Sequence, residues 1–284
     1  MENIGYYNGK TGLIDEMTIP MNDRVTYFGD GVYDATYSRN HKIFAIDDHL
    51  DRFYNSCRLL KIPFDMPREE LAKTLQDLVN QVDDGETFIY WQATRGTGMR
   101  NHAFPESKPN LLVTVSPSKF KDVYKKLRLI TLEDTRFFHC NVKTLNLIPS
   151  VLAAEATKQA GCDESVFYRV RGNQKIVTEC AHSNISMLKD GKFITAPLSN
   201  LILPGITRKH LIEICKELGI PVEEKEYTLE ELFDADEIIV SSSGSLGIGV
   251  YEMDGKSVGG KDEALLKKIQ DAYQERLAKA TAVK

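Results

Sequence analysis

Long apolar runs are missing from this chain. No stretch approaches the ~20 consecutive apolar residues needed to cross a bilayer, and the most apolar runs, Leu201–Leu203 and Ile238–Val240, are short. Met1, Glu2 and Asn3 offer neither a basic n-region nor an apolar h-region, so no signal peptide is expected. Cysteine is sparse and odd in number. Cys57, Cys140, Cys162, Cys180 and Cys215 include no C-x-x-C pair, which argues against a disulfide framework and against a local zinc knuckle. A cytoplasmic location is expected. Histidine is equally uninformative for metals, since His41, His49, His139, His182 and His210 show no ligand spacing. Charge of one sign is also lacking. The 36 basic and 41 acidic residues are intermixed and leave a net charge of −5. Phosphate-backbone binding needs clustered Lys and Arg, so no nucleic-acid partner is expected.

What is present is a globular balance, with 42% hydrophobic and 27% charged residues in 284. That length allows one large or two moderate domains. The pattern alternates strands and helices with hairpins mixed in. Asp47–Leu60 places Leu50, Phe53, Cys57 and Leu60 on one helical face, and Arg68–Val82 does so with Leu71, Leu75, Leu78 and Val82. Thr87–Thr94 and Leu111–Val115 read as strands. The polar stretch after them suggests a smaller N-terminal domain over 1–117, a linker at 118–122 and a larger C-terminal domain over 123–284. In the second half, Pro149–Ala160 is a helix stopped by Gly161, Asp190–Gly191 signals a hairpin, and Ile206–Leu218 is a helix. Many hairpins favour an α+β fold with mixed and antiparallel sheets over a doubly wound parallel sheet. No G-x-G-x-x-G follows a strand, so dinucleotide binding lacks support.

A few residues could carry chemistry. Leu203–Pro204–Gly205–Ile206–Thr207–Arg208 opens a helix, where the Ile206 and Thr207 N–H groups could face an anion. From spacing alone an ordinary loop-to-helix turn is the better reading. Ser241–Ser242–Ser243–Gly244–Ser245 could cradle phosphate or be a solvated loop. Lys143 sits in a fairly apolar context ahead of a helix, and partial burial favours a nucleophilic amine; most lysines, however, lie on the surface. Glu179 ends an apolar strand and needs a cationic partner if buried. Arg100 and His102 stand two apart, so an extended segment would let both reach one anion.

Several tracts together resemble the fold-type IV pyridoxal-phosphate enzymes, and within them the D-amino acid transaminases. They are Tyr27–Phe28–Gly29–Asp30–Gly31–Val32–Tyr33, His49–Leu50–Asp51–Arg52, Arg95 to Pro105, Cys140 to Asn146, Thr178–Glu179 with Ser183–Asn184, Leu203 to Arg208, and Ser241 to Ser245. They follow the family's order and spacing along essentially the whole chain. The resemblance implies a two-domain homodimer with pyridoxal 5′-phosphate between the domains. It makes Lys143, in the larger domain, the Schiff-base lysine and proton carrier. Glu179 becomes the partner of the pyridine nitrogen, and Arg52, Ile206, Thr207 and Ser243 the phosphate cup, so that both weak turns join one site. It makes Tyr33, Arg100 and His102 a trap for the substrate α-carboxylate, the R-x-H pair coming from the neighbouring subunit. The implied reaction moves an amino group from a D-amino acid such as D-alanine to a 2-oxo acid such as 2-oxoglutarate, yielding pyruvate and D-glutamate.

The branched-chain L-aminotransferases usually carry Phe–Glu–Gly where this chain has Tyr33–Asp34–Ala35, and they would have no use for Arg100 and His102. An aminodeoxychorismate lyase would eliminate pyruvate instead. A non-catalytic phosphate-ligand binder would need neither Lys143 nor Glu179. Three departures stand out against the D-enzymes: Asp34 in place of Glu, His139 in place of Arg, and Cys180–Ala181–His182 in place of a Ser-rich run. They are expected at the pocket wall, bearing on substrate breadth and leaving the cofactor chemistry untouched.

Overall fold

The computed structural model describes residues 1–283. They form two compact units. The first comprises Met1–Phe120, Val142–Asn146 and the residues from Leu277 on; the second comprises Lys121–Asn141 and Leu147–Arg276. The division at 120/121 falls inside the polar stretch 118–122. The Lys143 segment, however, belongs with the first unit, not with the larger second one.

The first unit is a six-stranded antiparallel sheet flanked by helices. Its elements are β1 (Ile4–Tyr7), β2 (Lys10–Gly12), α1 (Arg24–Phe28), β3 (Gly31–Arg39), β4 (Lys42–Ile43), α2 (Ile46–Leu59), α3 (Arg68–Val79), β5 (Thr87–Thr94) and β6 (Asn110–Pro117). Strand order is β2-β1-β6-β5-β3-β4. Period-two alternation on β5 buries Ile89, Trp91 and Ala93 against Leu50, Phe53 and Cys57 of α2 and Leu71, Leu75 and Leu78 of α3. Register then decides which β3 residues point where. Asp34 pairs with Trp91 on the helix-covered face, whereas Tyr33 pairs with Gln92 and Ala35 with Tyr90 on the other.

Residues Val142–Asn146 lie along the start of β3. Tyr33 N–H donates to the Lys143 carbonyl at 2.9 Å, Leu145 N–H donates to the Gly31 carbonyl at 3.1 Å, and Val32 bridges Thr144. This approach requires Gly31, because a Cβ there would fall 2.7 Å from both the Ala93 carbonyl oxygen and Leu145 Cδ1. Pairing between residues so distant in sequence is why local pattern placed Lys143 in the other domain.

The second unit holds β7 (Leu127–Glu133), α4 (Ile148–Gln159), β8 (Glu164–Arg171), β9 (Gln174–Cys180), β10 (Asn184–Lys189), β11 (Lys192–Thr195), α5 (Ile206–Glu217), β12 (Val222–Glu224), α6 (Leu229–Phe233), β13 (Glu237–Ser241), β14 (Ile248–Met253) and β15 (Lys256–Ser257). Helix α7 (Glu263–Ala280) closes the chain. Its nine-stranded sheet is mixed, with order β12-β11-β10-β13-β14-β7-β8-β9 and β15 on β14. β7 runs parallel to β8 through the α4 crossover, while β8–β9, β10–β11 and β13–β14 are antiparallel. Asp190 and Gly191 take positive φ, 51° and 71°, as a two-residue hairpin turn requires. The core includes Leu129, Val166, Ile185, Leu232, Ile238 and Val250.

Candidate active site

In the first unit, Lys143 is half-buried, and its Nζ lies 4.2 Å from the centre of the Tyr33 ring. Its backbone is fixed on both sides, since its carbonyl accepts from Tyr33 and its N–H donates to Ser56 Oγ at 3.2 Å. No ion pair engages the amine among the described residues, so it is positioned but not neutralised. Tyr33 stacks on Tyr90, with ring centres 5.4 Å apart, and Tyr90 Oη donates to Gln92 Oε1 at 2.7 Å.

Directly behind this face, on α2, Arg52 donates through Nε and Nη2 to both oxygens of Asp34, at 2.9 and 2.7 Å. His49 Nδ1 lies 2.7 Å from Asp34 Oδ1. Burial is the main influence on His49 and brings it below its ordinary 6.5, so the ring is neutral near pH 7 and Nδ1–H donates. Asp34 therefore holds Arg52, one of the residues expected to bind phosphate. Arg100 and His102 are both exposed on the loop between β5 and β6.

In the second unit, Glu179 is buried at the end of β9. Its Oε2 accepts from Asn184 Nδ2 at 2.8 Å and from Leu203 N–H at 3.0 Å, and its Oε1 accepts from Arg136. Arg136 is clamped in turn by Asp134, which takes Nε and Nη2 at 2.9 Å each. Asp134 also receives Arg169 Nε at 3.2 Å. Neither Arg136 nor Asp134 figured among the sequence candidates. The available signal was their spacing, because two residues apart in an extended segment leave on the same side.

Gly205 precedes α5 and provides no side-chain cap, leaving the Ile206 and Thr207 N–H groups at an uncapped, positive helix end. A Cβ at Gly205 would fall 1.9 Å from Asn184 Oδ1, so glycine lets the helix start pass close to the Glu179 cluster. Ser243 lies in the turn after β13, where Ser242 N–H donates to Ser245 Oγ at 2.9 Å. Ser241 Oγ is buried without a partner among the described residues.

These groups fit a phosphorylated pyridine aldehyde. Each unit by itself offers part of what such a group needs: the first an amine without an ion pair, the second a buried carboxylate held by three donors, an uncapped helix start and a hydroxyl-rich turn with one orphan hydroxyl. The chain matches the family amino-transferase class IV over residues 31–252. It is 36% identical over 275 residues to a D-alanine aminotransferase of Listeria monocytogenes, covering 94% of this chain and 93% of the relative. It is 34% identical over 282 residues to a D-alanine aminotransferase of Staphylococcus aureus, covering 97% and 98%. Among solved structures, the branched-chain amino acid aminotransferase of Escherichia coli superposes with a TM-score of 0.89 at 22% identity, over all of this chain and 97% of that one. Another branched-chain amino acid aminotransferase, solved with pyridoxamine 5′-phosphate, gives 0.87 at 23%, over 98% and 95%. The chain therefore belongs to the class IV aminotransferases and is a pyridoxal-phosphate-dependent aminotransferase of fold type IV.

Proposed function

We propose that this enzyme moves the amino group of a D-amino acid, D-alanine foremost, to a 2-oxo acid such as 2-oxoglutarate, releasing pyruvate and D-glutamate. The observation that carries the reading is the Arg100-x-His102 pair, exposed on one loop. A guanidinium fork and an imidazole two residues apart match a carboxylate in charge and geometry. The D-alanine aminotransferase relatives support it, and the branched-chain neighbours share the fold at lower identity.

Pyridoxal phosphate, when bound, supplies an aldehyde carbon for the amino group and a ring that accepts electron density from the substrate Cα. Lys143 would hold the cofactor through its Nζ and, once displaced, move a proton to and from Cα as a general acid/base. Glu179 would keep the pyridine nitrogen protonated by its negative charge, with Arg136 and Asn184 fixing the carboxylate. Arg52, Ile206, Thr207 and Ser243 would hold the phosphate. Tyr33, Arg100 and His102 would grip the substrate carboxylate. Where that carboxylate is held decides which hydrogen on Cα faces Lys143, so chirality follows from placement rather than from a different base.

The active form would be a cytoplasmic homodimer, with the R-x-H loop serving the neighbouring subunit's site. The second unit exposes the apolar side chains Phe137, Phe138, Ile148, Val151 and Leu152, which a second copy of the chain would cover.

D-alanine and L-leucine, offered separately to the loaded enzyme first without 2-oxoglutarate and then with it, test the reading. D-alanine alone should give pyruvate and bleach the cofactor's visible absorbance, and Lys143→Ala should give neither. Turnover with L-leucine alone would move the enzyme to the branched-chain L-group and leave Arg100 and His102 without their role.

A further inference from the structure

The loop that carries Arg100 and His102 makes few backbone bonds of its own. Gly98 N–H donates to the Asn22 carbonyl at 3.0 Å, and Asn101 N–H donates to the Met99 carbonyl at 2.7 Å. What spans the loop is Arg24, a cation in α1 that is only 3% exposed. Its Nη1 donates to the carbonyls of Asn101 at 2.6 Å and Ala103 at 3.3 Å, one on each side of His102. Its Nε donates to Asp30 at 2.7 Å, which compensates the buried charge.

Asp30 also accepts from Arg95 Nε at 2.9 and 3.0 Å. Arg95 ties the loop's base to the end of α2 through the Leu60 and Lys61 carbonyls and lies 3.8 Å over the Phe104 ring. Phe28, on the same short helix as Arg24, forms a floor. Its ring centre is 5.2 Å from that of His102, and the guanidinium carbons of Arg24 and Arg100 lie 4.8 and 5.5 Å from it.

We infer that Arg24 is a positioning residue for carboxylate recognition: it fixes the backbone on both sides of His102 and thereby the directions in which Arg100 and His102 leave the loop. The inference rests on the reading of those two residues as carboxylate ligands. It adds that the trap is prebuilt by a buried cation that never touches substrate. Because the α-carboxylate is common to both substrates, losing Arg24 should weaken amino donor and oxo acid alike.

Arg24→Lys is the sharpest variant, since it keeps a cation for Asp30 but lacks a second arm for the carbonyls. KM for D-alanine and for 2-oxoglutarate should rise together, by about tenfold, the size of one lost charge-assisted hydrogen bond. kcat should change by less than about twofold, because groups acting equally on ground and transition states alter KM alone. Amide hydrogen exchange at residues 99–103 should speed up while cofactor loading and the visible spectrum stay put. Arg100→Ala, measured beside it, separates the two ideas. If Arg100→Ala raises KM and Arg24→Lys does not, or if exchange at 99–103 is unchanged in Arg24→Lys, the positioning role is overturned and the carboxylate reading stands. If Arg100→Ala leaves KM unchanged, the carboxylate reading fails and the inference fails with it. Phe28→Leu spares the buried ion pair and gives the same readouts should Arg24→Lys not fold.

Discussion

In the first unit Asp34 is wholly buried against Arg52 and His49, and in the second Glu179 is buried against Arg136, Asn184 and the Leu203 N–H. Burial pushes both carboxyls up. For Asp34 the Arg52 charge, with both of its oxygens occupied, and then His49 outweigh burial and hold it well below the usual carboxylate range. For Glu179 burial prevails and raises it to about 6, although Arg136 and the Leu203 N–H pull it down. Arg136 is divided between Glu179 and Asp134, and the Asp134 charge itself pushes Glu179 up. A depressed acid contributes stability above its unfolded pKa and loses it as pH falls. A raised acid does the reverse, so the contribution of Glu179 declines as pH climbs from its ordinary 4.5 to about 6. The first cluster is built to stay charged. The second holds a carboxylate whose charge can be tuned.

The strongest test of this contrast is Asp34→Asn. It strands Arg52 in a buried site and should cost about 3–5 kcal/mol in a denaturant titration. It should also flatten the loss of stability on acidification. A variant as stable as the parent would erase the distinction. Glu179→Gln removes the tunable charge and should lower kcat by about 100-fold or more with the protein still folded. Gly205→Ala drives Asn184 away from Glu179 through the Cβ clash and should cost about 1–2 kcal/mol, the loss of one buried hydrogen bond. The smallest effect is expected from Asp134→Asn. Taking away the neighbouring negative charge lowers the Glu179 pKa, so the acid limb of the kcat/KM profile should move to lower pH, by less than about one unit. A shift upward would mean that Asp134 acts chiefly by orienting Arg136.

Much of this is readable from the chain. Lys143 and Glu179 are singled out by the motifs that contain them, and the fold class follows from hairpin signals such as Asp190–Gly191. α2 and α3 emerge at nearly their observed bounds because each carries a one-sided apolar stripe. Strand β3 escapes the pattern: Gly31–Arg39 mixes buried Asp34, Thr36 and Ser38 with partly exposed tyrosines, so its buried face is polar and alternation of hydrophobicity vanishes. Arg136 stays hidden for a related reason. It lies outside any regular element, and only the fold brings Glu179 and the Leu201 carbonyl to its guanidinium. Asp34 stands out as a departure, but its meaning depends on cross-strand register and on the facing helix.

The path of the backbone through the two units also constrains the birth of the enzyme. It passes from one unit to the other at 120/121, 141/142, 146/147 and 276/277. Emerging from a ribosome, the first 120 residues can build most of a sheet and its helices, but the strip that carries Lys143 arrives later, inserted between two stretches that serve the other core. Domains generally fold as units during synthesis. Here the segment that carries Lys143 is added to an existing sheet edge after the fact, and no single cut in the gene would release either half intact.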